Sequence, residues 1–242
     1  IIGVLTLTPY AAWKRTHALH HATTGNLDRR GVGDLPTLTV AEYRARGPLG
    51  RFGYRLMRHP AFLFGVVPAF VFLLQYRLPV NLYRAGWRYW ASAMGTNLAI
   101  AGVVAALVAG FGWGAILWIY IPTSVVAGAA GFWLFFVQHQ FEETLWDREA
   151  DWSVHEAALH GSSYYVLPAP LRWLTANIGM HHIHHLAART PFYRLPQILR
   201  DHPELDACQR LTLRESLRCA RLHLWDEERR LLVPFAAARA AA

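Results

Sequence analysis

Residues 91–137 read ASAMGTNLAIAGVVAALVAGFGWGAILWIYIPTSVVAGAAGFWLFFV and contain no charged side chain. An α-helix needs about 20 mostly apolar residues to cross the hydrocarbon core of a bilayer. The stretch divides into two segments of sufficient length, residues 91–110 and 113–137, and only Phe111 and Gly112 lie between them. The sequence therefore predicts a transmembrane hairpin over residues 91–137.

The composition of the whole chain also indicates a membrane protein. The 242 residues are 54% apolar and only 17% charged, whereas soluble domains carry about 25% charged residues. The net charge is +8, and most of the 23 arginines flank apolar segments, which favours anionic lipid headgroups over nucleic acid as their partner. Cys208 and Cys219, the only cysteines, exclude a disulfide framework and a thiolate metal site.

The placement of the arginines bears on how the chain crosses the membrane. Residues 61–76 form a shorter apolar stretch, interrupted by Pro68, with arginines on both sides, so both flanks are predicted to be cytoplasmic by the positive-inside rule. If the histidine groups near residues 20 and 183 belong to one site, an even number of crossings must separate them. We therefore expect residues 61–76 to form a re-entrant or in-plane segment between cytosolic regions at residues 10–60 and 138–242.

Two further segments complete the predicted fold. Residues 1–9 are apolar and lack the charged start of a signal peptide, so we expect the end of a membrane helix there. Apolar residues recur among charges over residues 211–232, which predicts a surface helix. The predicted fold class is all-α: an integral membrane helical bundle with a cytosolic helical cap.

The histidines are the candidate functional residues. Two groups have the same spacing, i, i+3 and i+4: His17, His20 and His21, and His181, His184 and His185. This spacing places the three imidazoles of each group on one face of a helical turn. Clustered imidazoles repel when protonated, whereas neutral imidazole is a common ligand of zinc, copper and iron. Six imidazoles exceed the needs of one tetrahedral zinc, so the hypothesis is two metals, or one metal with redundant ligands.

His139 is a further candidate ligand, because it closes the second predicted span at the cytosolic surface. Glu142 and Glu143 follow it and could orient an imidazole N–H, although a solvated acidic turn is an equal reading. A ligand set made almost entirely of nitrogen suits redox-active iron. We expect the imidazole nitrogens of one set of four histidines to converge around a polar void: His17, His21, His181 and His185.

Four segments of the chain carry a family resemblance. They are WKRTHALHHATTGNLDRRGVGD at residues 13–34, VQHQFEETLW at 137–146, HGSSYYVLP at 160–168 and NIGMHHIHHLAARTPFYRLP at 177–196. In this order, and together with the hairpin, they resemble the membrane fatty acid desaturases of the bacterial acyl-lipid type. A single HxxHH motif would not be specific, but the combination is.

The resemblance implies a non-haem di-iron centre, held by histidine boxes on the cytosolic face of a multi-pass protein, here of a bacterial inner membrane. It implies that the second box is His17, His20 and His21, that the third is His181, His184 and His185, and that His139 is an additional ligand. The first box of the family should precede Ile1, so we expect the chain as given to lack a complete di-iron site and to be inactive.

The implied reaction is O2-dependent introduction of a cis double bond into a membrane acyl chain, with Δ12 or omega-6 as the candidate position. It requires electrons from an external donor such as ferredoxin. A related di-iron hydroxylase or ketolase acting on alkanes or carotenoids is the nearest alternative. A metal transporter is a weaker one, because transport calls for ligands inside the spans and residues 91–137 contain no histidine.

Overall fold

The structure is a computed structural model that describes residues 1–31 and 33–240. It is mostly helical. Its α-helices are α1 (Ile2–Leu5), α2 (Tyr10–Thr23), α3 (Val40–Ala45), α4 (Pro48–Arg58), α5 (Val67–Leu73), α6 (Trp87–Phe111), α7 (Trp113–Ala115), α8 (Ile121–His139), α9 (Val154–His160), α10 (Ala169–Leu174), α11 (His181–Leu186), α12 (Leu195–Asp201), α13 (Leu213–Cys219) and α14 (Ala237–Ala240). Wider π-helical turns occupy Phe62–Val66 and Ile116–Tyr120, and short 3₁₀ turns occupy Gln75–Arg77, Phe192–Arg194 and Pro203–Asp206.

The described residues group into two compact units. The first comprises Ile1–Ala18 and Leu56–Trp133, and the second comprises Leu19–Arg55 and Leu134–Ala242. Residue 32 of the predicted region 10–60 and residues 241–242 of the predicted region 138–242 lie outside the described residues.

The first unit contains most of the predicted hairpin. Trp87–Phe111 and Trp113–His139 are both long and apolar enough to cross a membrane, as the sequence predicts. Gly112 connects them with a φ of +73°, a left-handed conformation that glycine adopts without steric cost. The tight connection between the two helices depends on this residue.

The segment before the hairpin is helical and is bent where it follows α4. Phe62–Arg77 is helical and is bent by 61° from α4, a geometry typical of a broken span or of a re-entrant loop. The Arg77 guanidinium closes this segment by donating to Asn97 Oδ1 over 2.9 Å, and Asn97 Nδ2 donates back to the Arg77 carbonyl over 2.8 Å. Re-entry of residues 61–76 stays a prediction.

At the start of the chain, a helix covers only Ile2–Leu5 of the predicted helix end at residues 1–9.

The second unit contains five short strands that the all-α prediction missed. They are β1 (Leu38–Thr39), β2 (Tyr164–Val166), β3 (Arg210–Thr212), β4 (Leu224–Asp226) and β5 (Leu231–Val233). β1 and β4 are parallel, β4 and β5 are antiparallel, and β2 and β3 are parallel. Strands of two or three residues have too few alternating positions to show a period in the sequence.

The surface helix predicted over residues 211–232 is wrong over most of its length. Helix α13 covers only Leu213–Cys219 and starts at a capping box between Thr212 and Glu215. The chain then forms the β4–β5 hairpin, which buries Trp225 and Leu232. The Asp226 side chain makes the turn by accepting the N–H groups of residues 228 and 229, a local bond that competes with helix formation.

Candidate metal centre

Helices α2, α8 and α11 supply the candidate ligands. Both histidine triads are helical, as their spacing predicts, since the first lies on α2 and the second on α11. His139 is the last residue of α8. All of the candidate ligands except His17 belong to the second unit.

Four histidines from these helices form the first group: His20, His139, His181 and His185. All four side chains are buried. Nε2 of His139 lies 3.2 Å from Nε2 of His20 and 2.9 Å from Nε2 of His181. Nε2 of His181 lies 3.1 Å from Nε2 of His185. The four imidazoles therefore direct the same ring nitrogen towards one point.

Hydrogen bonds on the opposite side of two rings fix which nitrogen carries the proton. His20 Nδ1 lies 2.5 Å from Asp34 Oδ1, and His139 Nδ1 lies 2.9 Å from the Gly161 carbonyl oxygen. Both oxygens are acceptors, so each Nδ1 is assigned as the N–H donor. The Nε2 atoms of His20 and His139 then carry lone pairs that face each other. A bound cation satisfies this arrangement, because two lone pairs at this distance otherwise repel.

Burial keeps the rings on α11 neutral and ready to bind a metal. Loss of solvent, followed by the neighbouring imidazoles, holds the pKa of His181 and that of His185 well below the ordinary value. Metal binding requires the neutral imidazole. Burial also raises the pKa of Asp34 to about 6, against the attraction of His139, so this carboxyl is mostly ionised at pH 7.

A second group lies beside the first. His21 Nε2 is 3.1 Å from His184 Nε2. The His21 ring stacks on the His185 ring with centroids 4.1 Å apart, which places this pair next to the four-histidine group. His17 lies one helical turn before His21 on α2, and its ring stacks on Trp13 with centroids 4.7 Å apart.

The end of α2 is held by a loop pairing that also positions Asp34. Gly25, with φ of +72°, follows the helix, and a Cβ there would lie 2.9 Å from the Leu145 carbonyl oxygen. Asp147 N–H donates to the Gly25 carbonyl, and the Trp152 indole N–H donates to the Thr24 carbonyl, over 2.8 and 2.9 Å. Thr24 Oγ1 donates to Asp34 Oδ1 over 3.4 Å. These contacts hold the carboxylate against His20.

The end of α8 and the start of α11 are joined through polar contacts. Ser163 donates its N–H to the Gln138 carbonyl and its hydroxyl to the Val137 carbonyl, over 2.9 and 3.0 Å. Gln138 Nε2 donates to the Ile178 carbonyl over 3.0 Å. Gly179 packs against Tyr165 so closely that a Cβ would lie 2.4 Å from the Tyr165 carbonyl oxygen. The segment at residues 161–165 thus sets the position of His139 relative to His181.

Comparison with known proteins identifies the family of this chain. The sequence model of one family, described as fatty acid desaturase, matches residues 1–216. A fatty acid desaturase of Bacillus subtilis (strain 168) is 42% identical over 237 residues, which are 98% of this chain and 67% of the Bacillus protein. The chain belongs to the fatty acid desaturase family.

More distant relatives in the family are cyanobacterial. An sn-1 acyl-lipid omega-3 desaturase (ferredoxin) of Synechocystis is 28% identical over 78% of this chain. An sn-1 oleoyl-lipid 12-desaturase of the same organism is 27% identical over 77% of it. The chain spans about half the length of these two cyanobacterial relatives, 52% of each.

The structure corrects one expectation about the desaturase site. The four nitrogens predicted to converge do not form one group, because His181 and His185 lie with His20 and His139, whereas His21 lies with His184. On a helix, residues at i+3 and i+4 differ by about 100° around the axis. Each triad is therefore divided between the two groups.

Of the two interpretations of Glu142 and Glu143, the structure agrees with the solvated acidic turn. Glu142 and Glu143 are exposed, and the acid that contacts a candidate ligand is Asp34, fourteen residues after His20. The sequence signal for Asp34 was that it ends the GVGD motif at residues 31–34, within the first of the segments that carry the family resemblance. His182 is fully buried and lies in neither group.

Proposed function

We propose that this chain carries the histidine-rich part of a di-iron fatty acid desaturase that uses O2 to introduce a cis double bond into a membrane acyl chain. The observation that carries the proposal is the 3.2 Å approach of the Nε2 atoms of His20 and His139, whose Nδ1 atoms contact Asp34 Oδ1 and the Gly161 carbonyl oxygen. A buried site made of neutral imidazoles suits iron.

The proposed ligands are the seven histidines of the two groups. His20, His139, His181 and His185 would hold one iron, and His21 and His184, with His17 one turn earlier on α2, would hold the other. The short separation of the His21 and His185 rings supports two metals close enough to act together. A first histidine box, where the protein has one, would complete the coordination.

The residues of this chain bind, orient and shield in the proposed reaction. With O2 and two electrons, bound iron would supply the oxidising power needed to remove two hydrogens from an unactivated methylene pair. Asp34 and Gly161 keep the imidazole protons on Nδ1, so that the Nε2 lone pairs stay available. Burial of the first group excludes water, which prevents loss of the oxidant in side reactions.

The proposed substrate is an acyl chain of a membrane lipid. It follows from the names of the cyanobacterial relatives, which act on acyl-lipid and oleoyl-lipid substrates, and from the two helices apolar enough to cross a membrane. Δ12 or omega-6 is the proposed position of the double bond. The proposed location is a bacterial inner membrane, with the histidines on the cytoplasmic side.

The proposed electron donor is a small acidic protein such as ferredoxin, the donor printed in the name of the Synechocystis omega-3 enzyme. Helix α13 offers a surface of matching chemistry, with Leu213 and Leu217 exposed at its centre and exposed arginines around them. The arginines are Arg214, Arg218 and Arg221. Complementary charge speeds the encounter of such partners. Charge reversal at Arg214 and Arg218 should therefore slow reduction and weaken its salt dependence, and unchanged values would exclude this docking surface.

The test of the proposed activity is a lipid analysis. The full-length protein is expressed in a host without polyunsaturated lipids, with His20→Ala as the inactive variant and His202→Ala, an exposed histidine, as the matched control. A new double bond that His20→Ala abolishes and His202→Ala preserves is the expected result. Hydroxylated or ketonic products would support the oxygen-inserting alternative, and an unaltered lipid profile would contradict the proposal.

A further inference from the structure

Helix α4 is amphipathic, and its large apolar side chains lie on the exposed face of the helix. Leu49 and Phe52 are 82% and 62% exposed. Their i, i+3 spacing, continued by Leu56 on the next turn, places them on one face of the helix. Large apolar side chains arranged in a row at a surface indicate contact with another apolar phase.

On the opposite face, the part of α4 that belongs to the second unit, which includes residues 19–55, is attached to the rest of that unit through a buried polar group. Tyr54 is 4% exposed and lies about 200° around the helix axis from Phe52. Its hydroxyl accepts the Leu38 N–H over 3.1 Å and donates to the His223 carbonyl over 2.7 Å. These bonds fix the rotation of the helix, so the outward direction of Leu49 and Phe52 is a built feature of the fold.

The charges near the apolar face are of one sign. Residues 35–60 contain five arginines and a single acid, Glu42, and Glu42 is paired with Arg30. Arg51 is exposed on the first turn of α4, next to Phe52 in the chain, whereas the Arg46 side chain lies over the Tyr54 ring on the opposite face. Long basic side chains extend to the headgroup level while the apolar side chains enter the acyl region.

We propose that α4 lies in the plane of the bilayer interface, where Leu49 and Phe52 contact lipid acyl chains and Arg51 binds the phosphate of an anionic lipid. The occupant of this face is therefore the membrane surface. Charge complementarity supports it, since anionic headgroups attract clustered arginines. So does the chain direction, because α4 leads directly into the apolar segment at residues 61–76. The inference does not depend on the desaturase activity.

The test measures the depth of a nitroxide on the full chain in lipid nanodiscs. Phe52→Cys places the label on the apolar face, and Ala41→Cys places it at an exposed position on α3 as the matched control. Cys208 and Cys219 are buried, and burial raises the pKa of each thiol to about 11, so both react slowly and the unsubstituted chain gives the background. Collision with apolar O2 is compared with collision with a water-soluble nickel chelate.

The expected result is that the label at residue 52 meets O2 more often than the chelate, whereas the label at residue 41 meets the chelate. Equal chelate access at both positions would overturn the proposal. So would spin–spin broadening at residue 52 that disappears on dilution with unlabelled chain, because it would show that a second copy covers this face.

The binding of anionic headgroups is tested separately. The measured quantity is the ratio of immersed to exposed label at residue 52 in bilayers with and without phosphatidylglycerol. Arg51→Gln should lower this ratio about fivefold in anionic bilayers and leave it unchanged in phosphatidylcholine. Arg200→Gln, an exposed arginine on α12, is the control and should change neither. A ratio that is independent of lipid charge would overturn the binding of anionic headgroups.

Discussion

Asp34 is the residue outside the proposed ligand set whose removal should affect iron most. Its carboxylate is 5% exposed and lies 2.5 Å from His20 Nδ1. Removal of such a partner of a metal-bound histidine typically lowers metal affinity 10- to 100-fold. Asp34→Asn keeps an oxygen acceptor for the imidazole N–H, so we expect about a 10-fold loss. Asp34→Ala leaves the N–H buried without a partner, so we expect about a 100-fold loss.

Asp34→Asn should affect the stability of the metal-free protein in the opposite direction. Because the pKa of Asp34 is raised from 3.8 to about 6, the folded chain binds this proton more tightly than the unfolded chain. The stability that the protonated carboxyl contributes is therefore lost as the pH rises through about 6. A shift of about two units corresponds to about 3 kcal/mol, so Asp34→Asn should raise the melting temperature of metal-free protein at pH 7 but not at pH 4.

The assay is competition for ferrous iron with a chelator of known affinity, combined with thermal unfolding in detergent at both pH values. Asp201→Asn, an exposed acid on α12, is the control and should alter neither measurement. Unchanged iron affinity in both Asp34 variants would refute the role assigned to this carboxylate. A lower melting temperature of the metal-free Asn variant at pH 7 would show that Asp34 serves the fold instead.

Three further predictions concern the surroundings of the site. Gly161→Ala should lower both iron content and melting temperature, because the new Cβ would lie 2.5 Å from the Ala157 carbonyl oxygen and displace the Gly161 carbonyl that accepts the His139 N–H. The control is Gly131→Ala, which has no atom within 4 Å of the new Cβ and should change neither measurement. Equal iron loss in both variants would contradict this prediction. Burial lowers the pKa of His182 to about 4, so up to about 3 kcal/mol of stability should be lost as the pH falls from 6.5 to 4; His182→Leu should remove this loss in acid-unfolding measurements, and an unaltered acid midpoint would count against it. Trp152→Phe should lower the free energy of unfolding by about 1 kcal/mol, because the side chain no longer donates a hydrogen bond to the Thr24 carbonyl. Unfolding in denaturant measures this loss, and an unchanged free energy of unfolding would contradict it.

The parts of the fold that could be predicted depend on local sequence. The hairpin at residues 91–137 is defined by its own composition, and the helical spacing of His17, His20 and His21 is defined within five residues. The five strands could not be predicted, because pairs such as Trp225 and Leu232 acquire their stability from tertiary burial. Helix α13 illustrates both cases, since its capping box is local but its end depends on the β4–β5 hairpin.

The candidate site was predicted as a set of residues but not as an arrangement. Which histidines face each other depends on how α2, α8 and α11 pack, and spacing within one helix does not carry that information. Asp34 gave no periodic signal, because it lies in a loop held by contacts with Thr24 and with residues far along the chain. Function was the more predictable property, because the order of four motifs is specific even where their packing is unknown.

We propose that these histidines hold two irons in two adjacent groups. The test is the number of ferrous ions bound per molecule of full-length protein, for the unsubstituted protein and for His181→Ala and His184→Ala, which affect the first and second group respectively. We expect two irons in the unsubstituted protein and one tightly bound iron in each variant. A single iron that both variants abolish, or zinc bound in preference to iron, would contradict it.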